Sequence, residues 1–279
     1  MPDLIGVTGA TGEVGGRVAR RLADRGIAQR LVVRDASRAP QLDGAEVATM
    51  TGYGDRESVR AALEGVGTLF LVPGEEATDR VEQHKTAVDA ALDAGVERIV
   101  YLSFLGASPD ATFTLVRHHW ATEEHIRAKN VPFTFPRMSM YMDFIPFFAG
   151  PDGVIRGPAG DGRVGAVLRD DLADVVVEIL ADPAAHEGAV YDVTGPEAFS
   201  LAEIADLLGV RYHEETIEEA WESRRATGAP DWEIEGWVTS YVAIANGDLD
   251  VVTDVVRRIG GHDPVSLQKF LRAERPTSP

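Results

Sequence analysis

The stretch Thr8-Gly9-Ala10-Thr11-Gly12-Glu13-Val14-Gly15 decides the reading of this chain. Before it lies a short apolar run containing Leu4, Ile5 and Val7. After it, Val14, Val18 and Leu22 recur at i, i+4 and i+8, and Gly26 closes the pattern. The glycines therefore sit between a strand and a helix, spaced Gly-x-x-Gly-x-x-Gly. One glycine permits a tight turn, one lets a pyrophosphate approach the backbone, and one lets helix and strand pack closely. The helix N-terminus adds unpaired N–H groups and a positive dipole. An ordinary strand-to-helix turn can also hold glycines, but the strand before and the helix after are the context that marks a dinucleotide loop.

Working outward, Leu31-Val32-Val33 is a second buried strand, ending at Arg34. Segments 46–50, 68–72, 98–102 and 132–136 read as further strands. Helical patterns at 81–92 and 120–129 alternate with them. Such alternation builds right-handed βαβ units and a parallel sheet covered on both faces. The expected fold class is α/β, a Rossmann-like doubly wound parallel sheet with a smaller, mostly helical C-terminal region that caps it. Residues 1–150 are expected to form the NAD(P)-binding domain and 151–279 the capping region. In the latter, turn clusters at 150–153 and 157–162 precede helices at 169–180, 214–228 and 232–246. A short strand is expected at 190–193, and Ser200-Leu-Ala-Glu203 is a capping-box signature. The closing Arg275-Pro-Thr-Ser-Pro279 is expected to fray.

Composition narrows the classes. The 279 residues include 27 Lys+Arg against 45 Asp+Glu, a net charge of −18. That balance argues against a nucleic-acid partner and against a polybasic membrane anchor. Hydrophobic residues are 44% and charged residues 26%, a composition able to bury a core. With no cysteine there is no disulfide, thiolate nucleophile or Cys-ligated metal. His118 and His119 are adjacent rather than at ligand spacing, so no metal site is expected. No Gly-x-Ser-x-Gly elbow is present, which disfavours a hydrolase. The N-terminus lacks a signal peptide's basic region, and no run of about 18 apolar residues exists, so a cytoplasmic protein is expected.

Arg34 stands where the second strand meets an adenosine ribose. An acid there favours NAD, whereas an arginine accommodates a 2′-phosphate. Arg34, with Ser37 and Arg38 behind it, points to NADPH. Asp35 is the counter-argument for NADH, since it can take a ribose diol, and Arg34 can also simply pair with a surface carboxylate.

The loop 8–15, Val32-Val33-Arg34-Asp35, Gly52-Tyr53-Gly54-Asp55, Tyr101-Leu-Ser-Phe-Leu-Gly106, Ala121-Thr-Glu-Glu-His-Ile-Arg127 and Gly195-Pro-Glu197 together resemble the NmrA-like atypical short-chain dehydrogenases. That family includes quinone oxidoreductases of the QorB type and triphenylmethane reductases, and the resemblance covers most of the chain. It implies that Thr8, Gly9, Thr11, Gly12, Glu13, Val14 and Gly15 line the cofactor. It also implies that Arg34 meets the 2′-phosphate, Asp55 the adenine edge, and Val72-Pro73-Gly74 the length of the cofactor. Ser103 and Arg137-Met138-Ser139-Met140-Tyr141 are then expected to border the nicotinamide and the substrate. Asp55 can instead be a helix N-cap with Ser58, and Ser103 can bond backbone at a strand end.

Ordinary short-chain dehydrogenases protonate through a Tyr-x-x-x-Lys pair, whose lysine lowers the phenol pKa. None occurs here. Arg117 lies roughly where relatives carry a lysine, and an arginine does not readily release a proton. His119, just ahead of the expected helix, and Tyr141 are the candidate proton donors. With Ser103 they form the candidate catalytic set. Water is a sufficient proton source for a strongly electrophilic acceptor. Phe104, Met138, Met140, Tyr141, Phe144 and Phe148 follow strand ends and suggest an apolar pocket. The expectation is a reductase moving hydride from NADPH to an apolar small molecule, a quinone, imine or conjugated carbonyl, with the chain a monomer or homodimer. A cofactor-sensing regulator without catalysis is the alternative, and an epimerase or lyase a more distant one.

Overall fold

The computed structural model describes residues 4–274. In chain order the strands and helices begin β1 Ile5–Thr8, α1 Glu13–Asp24, β2 Gln29–Val33, β3 Ala45–Thr49, α2 Arg56–Leu63, β4 Thr68–Leu71 and α3 Arg80–Asp93. They continue β5 Arg98–Tyr101, β6 Ser103–Phe104, α4 Val116–Ala128, β7 Phe133–Met138, β8 Val154–Gly157, β9 Arg163–Val164 and α5 Arg169–Ala181. Last come β10 Val190–Val193, β11 Phe199–Ser200, α6 Leu201–Leu208, β12 Arg211–Glu214, α7 Ile217–Arg225, α8 Asp231–Ala245, α9 Val255–Gly260 and α10 Leu267–Glu274.

The chain divides into two compact units. The first comprises residues 1–104, 118–137 and 169–191; the second comprises 105–117, 138–168 and 192–279. The chain leaves the first unit and returns to it twice, so the expected boundary at residue 150 falls inside a segment of the second. The first return, 118–137, carries most of α4 and β7; the second, 169–191, brings α5 back to pack on α1 and leads into β10 of the main sheet. Local periodicity identifies each element but carries no mark of such a return.

The main sheet runs in the order 3-2-1-4-5-7-10, with β6 beside β7. The neighbours β3–β2, β2–β1, β1–β4, β4–β5 and β5–β7 are all parallel. The order reverses at β1, where a doubly wound sheet opens a crevice at its carboxyl edge. One face is sealed by Val59 and Leu63 of α2, Val88 and Ala91 of α3, and Ile126 of α4. These pack on Leu69, Leu71, Ile99, Tyr101 and Phe135. By the two-residue alternation of strands, Phe70 and Val100 turn to the opposite face. There α1 meets α5, with Arg21 bonding Asp170 at 2.8 Å and Asp174 at 2.6 Å. The α/β reading of the sequence holds.

The second unit is mostly helical. It carries two small ribbons, parallel β8–β12 and antiparallel β9–β11. Both [Ser/Thr]-x-x-Glu signatures cap helices reciprocally: Ser200 with Glu203 opens α6, and Thr216 with Glu219 opens α7. The segment expected as one helix over 214–228 therefore begins only at Ile217, because Arg211–Glu214 is spent pairing with β8. Trp221 and Trp237 pack against buried Ala220, Ile234 and Val238. No helix among the described residues is long and apolar enough to cross a membrane.

Candidate cofactor and reduction site

Each glycine of the loop has a separate local reason. Gly9 has φ +63°, a left-handed conformation that side chains disfavour. A Cβ at Gly15 would lie 2.3 Å from the Gly9 carbonyl oxygen and 2.7 Å from that of Thr8. Only a bare Cα lets α1 start this close to β1. Gly12 is the N-cap of α1, extended and with no side chain closing the helix end. A Cβ there would meet only the Gly9 oxygen, at 3.3 Å, so this glycine leaves the approach to the first-turn N–H groups open. Thr11, Gly12 and Glu13 are exposed and Val14 is buried, so Val14 offers backbone alone. Bonding to Arg17 holds the Glu13 carboxyl below the usual range. Thr8 is structural: its Oγ1 accepts from Val72 N at 2.8 Å and donates to Phe70 O, fastening β1 to the end of β4.

At the end of β2, Arg34 donates to Glu75 Oε1 at 2.9 Å, with the two side chains 65% and 82% exposed. The surface pairing raised from the sequence is thus present, in a form that an incoming anion can displace. Asp35 is turned to its own turn: Oδ1 accepts from Ser37 N at 2.9 Å and Ser37 Oγ at 2.7 Å, bonds that hold its pKa down. Asp55 caps α2, accepting from Ser58 N at 3.1 Å and from Thr51 Oγ1 at 2.6 Å.

Val72-Pro73-Gly74 is held from several sides. Tyr53 donates its hydroxyl to Val72 O at 2.6 Å, and Arg80 Nε donates to Gly74 O at 3.0 Å. Gly74 N–H donates to His84 Nε2 at 2.9 Å. His84 must then carry its proton on Nδ1, which donates to Thr122 Oγ1 at 3.0 Å. Burial, with the charge of Arg80 next, pushes the His84 pKa down to about 3.

Ser103 is fully buried, and its hydroxyl donates to Glu123 Oε1 at 2.5 Å. It does not bond backbone, as the simpler sequence reading had it. Arg137 forks onto the same carboxylate, Nε to Oε1 at 2.8 Å and Nη2 to Oε2 at 2.7 Å, and Arg127 adds a longer bond at 3.4 Å. The structure brings Ser103 and Arg137 together through Glu123, a residue that sequence reading did not single out. Its signals were its place in the stretch 121–127 that carries the family resemblance and its spacing to Arg127, four apart on one helix face.

His119 lies inside the first turn of α4, not ahead of the helix. The periodicity read from the sequence starts the helix at Trp120, yet burial of Leu115 and Val116 starts it four residues earlier. His119 Nδ1 lies 3.1 Å from the Tyr101 hydroxyl, and its ring packs beside Phe104. Burial, then Arg80 and the neighbouring histidines, hold its pKa well below the ordinary value, so it is a neutral imidazole at physiological pH. His118 is lowered for the same first two reasons. A row of rings results, Tyr53–His84–Tyr101–His119–Phe104, with successive centroids 5.9 to 6.1 Å apart.

In the second unit, Tyr141 donates to Met138 Sδ and its ring lies near Phe144. Phe144 is exposed, while Met140 and Phe148 are half-buried. A cavity of about 290 Å³ in this unit is lined by Leu105, Ser108, Asp110, Phe113, Val116 and Leu249, among others. None of the acceptor-pocket residues named from the sequence lines it.

A family model described as NAD(P)H-binding matches residues 9–183, from the glycine loop through α5. The chain belongs to this NAD(P)H-binding family. Its relatives include the NAD(P)H azoreductase of Xenophilus azovorans, 29% identical over 97% of each chain. The NADPH-dependent quinone oxidoreductase of Escherichia coli, solved with NADPH, has the same fold at TM-score 0.87. It is 27% identical and covers 96% of this chain and 99% of its own. The Citrobacter triphenylmethane reductase, solved with NADP(H), gives TM-score 0.84 and 29% identity over 96% and 99%. The resemblance to NmrA-like reductases holds on these grounds, and this member of the NAD(P)H-binding family is an NAD(P)H-dependent oxidoreductase.

Proposed function

We propose that the chain is an NADPH-dependent reductase that transfers hydride to an apolar electrophilic acceptor: a quinone, an imine or a conjugated carbonyl. The observation that carries the reading is the uncapped start of α1 behind Gly12, at the point where the strand order reverses. Thr8 to Gly15 hold the pyrophosphate there, mostly through backbone. Arg34 takes the 2′-phosphate in exchange for Glu75, and Asp35, engaged with Ser37, leaves the ribose diol without its usual acid. Asp55 borders the adenine through the loop it caps, and Val72-Pro73-Gly74, clamped by His84 and Arg80, runs along the cofactor. The bound cofactor supplies hydride.

The acceptor class follows from what the chain lacks as well as what it has. No Tyr-x-x-x-Lys pair is available to drive protonation, so the substrate must be reducible with little acid help. His119, neutral in its setting, serves as a hydrogen-bond donor toward the acceptor, and water is the ultimate proton source. Ser103 and Arg137, fixed by Glu123, set the floor of the nicotinamide site. Phe104, Met138, Met140, Tyr141, Phe144 and Phe148 supply apolar contact, with Tyr141 a second hydroxyl donor. The azo, quinone and dye reductases among the relatives support this class of acceptor.

The test is NADPH consumption, followed in the near-UV, against a panel of quinones, cyclic imines, enones and aldehydes. Turnover above the uncatalysed rate with a quinone, imine or enone is expected. Tight NADPH binding with no turnover of any acceptor would defeat the reading.

A further inference from the structure

Arg80 is a buried charge that cofactor holding alone does not explain. It opens α3 and is only 5% exposed. Nε bonds the Gly74 carbonyl, while Nη1 is buried without a hydrogen-bond partner. Among the described residues no carboxylate pairs with its guanidinium. The groups on which its charge is seen to act are the imidazoles of His84, His118 and His119 and the phenols of Tyr53 and Tyr101. His118 Nδ1 is likewise buried and unpartnered. The buried carboxylate of this unit's α4, Glu123, is already saturated by Ser103, Arg137 and Arg127. An unpaired buried cation is expensive, and folds keep such groups where a negative charge arrives during function.

We infer that Arg80 is a preorganised positive charge for the anion that develops on the acceptor, acting across the neutral imidazoles of His118 and His119. The inference rests on the reductase reading above. NADPH, when bound, would give up hydride by breaking its own C–H bond and would be left as NADP+, and the hydride would bond to a carbon of the acceptor. The π pair of the acceptor then moves onto its oxygen or nitrogen, which becomes an anion and takes a proton from water, leaving hydroxide. A fixed charge in a dry site stabilises that anion without reorganising. Arginine is the side chain that holds its charge most firmly on burial. Because the imidazoles stay neutral, they polarise toward the anion without protonating beforehand. Arg80 thus fills the electrostatic role of the absent lysine from a different element, α3, and by field rather than by proton transfer.

The test uses the full chain with Arg80→Gln and Arg80→Lys. Steady-state kinetics with NADPH and one accepted substrate give kcat and KM separately. Nitrogen-15 NMR of the imidazoles in the cofactor-free protein gives the titration of His118, on which Arg80, His84 and His119 act. Arg80→Gln is expected to lower kcat by about tenfold or more, the scale of losing one such electrostatic contact. KM for NADPH should stay within about threefold. Arg80→Lys, which keeps a cation on this helix but loses the Nε bond to Gly74, should lower kcat clearly less than Arg80→Gln does. His118 should titrate at higher pH in Arg80→Gln than in the wild type or Arg80→Lys. Equal loss of kcat in both variants would make Arg80 a strut for Gly74 and overturn the inference. So would a raised KM for NADPH at unchanged kcat, or an unmoved His118. A wild type inactive on every acceptor overturns the reductase reading instead, a result the kinetics of the variants cannot mimic.

Discussion

Replacing Arg34 by alanine separates the two dinucleotides. In the free protein the guanidinium is paired only with Glu75, at 2.9 Å, and the side chains are 65% and 82% exposed. A charge-assisted bond to a phosphate is worth about 1.5–3 kcal/mol. The ion pair that must be given up is an exposed one, worth about 0–1 kcal/mol. The difference is roughly 0.5–3 kcal/mol, or about 2- to 140-fold in Kd at about 1.4 kcal/mol per decade. NADPH affinity should fall by that factor in Arg34→Ala, while NADH, which carries a hydroxyl there, changes by less than about twofold. Cofactor fluorescence at one fixed ionic strength measures both, since the contact is screened by salt. Glu75→Gln removes the competitor and should tighten NADPH by up to about fivefold, again with NADH unmoved. Equal loss for both cofactors in Arg34→Ala would refute the assignment, and a wild type that prefers NADH would refute the choice of cofactor.

Gly15→Ala places a Cβ 2.3 Å from a carbonyl oxygen and should lower thermal stability as well as NADPH binding, by an overpacking cost of about 1–3 kcal/mol or more. Gly12→Ala, whose Cβ has 3.3 Å of clearance, should weaken NADPH while leaving the melting temperature nearly unchanged; a matching drop in both variants would show that Gly12 is structural. His84 takes up a proton near its ordinary pH of 6.5 when unfolded but only at about 3 when folded. The unfolded state therefore binds the proton first, and stability falls as pH drops below 6.5, by about 2 kcal/mol on reaching pH 5. Urea titrations of wild type and His84→Gln at pH 7 and pH 5 should differ by that amount; His118 and His119 act in the same direction but remain in both proteins. Glu123→Gln strips the charge that Arg137 and Ser103 share and should cost about 3–5 kcal/mol in urea unfolding. The double variant with Arg137→Gln should lose less than the sum of the two single changes, and simple additivity would mean the fork contributes nothing to stability.

The sheet was legible because its signals are local. Each strand of the first unit is a short apolar run, each helix repeats every three to four residues, and the glycines fall at the one junction where backbone crowding demands them. Gly9 is fixed by its own φ and Gly15 by its clearance from the Gly9 and Thr8 carbonyls, all within the one eight-residue loop whose glycine spacing a sequence displays directly. The division into units was not legible, since α5 and β10 return to the first unit through contacts far apart in the chain. The start of α4 was misplaced for a related reason: Leu115 and Val116 are buried by contacts that only the fold supplies, and the helix begins there rather than at Trp120.

The site shows the same split, with a different cause. Residues that present backbone or a surface charge to the cofactor, such as Gly12 and Arg34, follow from their place after a strand. Residues that act through other residues leave no such mark. Arg80, His84 and Gln83 look alike on the surface of a helical wheel, yet Arg80 and His84 are buried against Gly74 while Gln83 bonds Asp79 in the open. Tyr101 reads as one more apolar residue of β5, and only the fold sets its hydroxyl beside His119. What sequence did carry was a deficit: with no Tyr-x-x-x-Lys pair, the chain must meet the charge of reduction by other means. On the inference drawn above, groups held neutral by burial around Arg80, a cation with no carboxylate paired to it among the described residues, meet that requirement when negative charge develops on the acceptor.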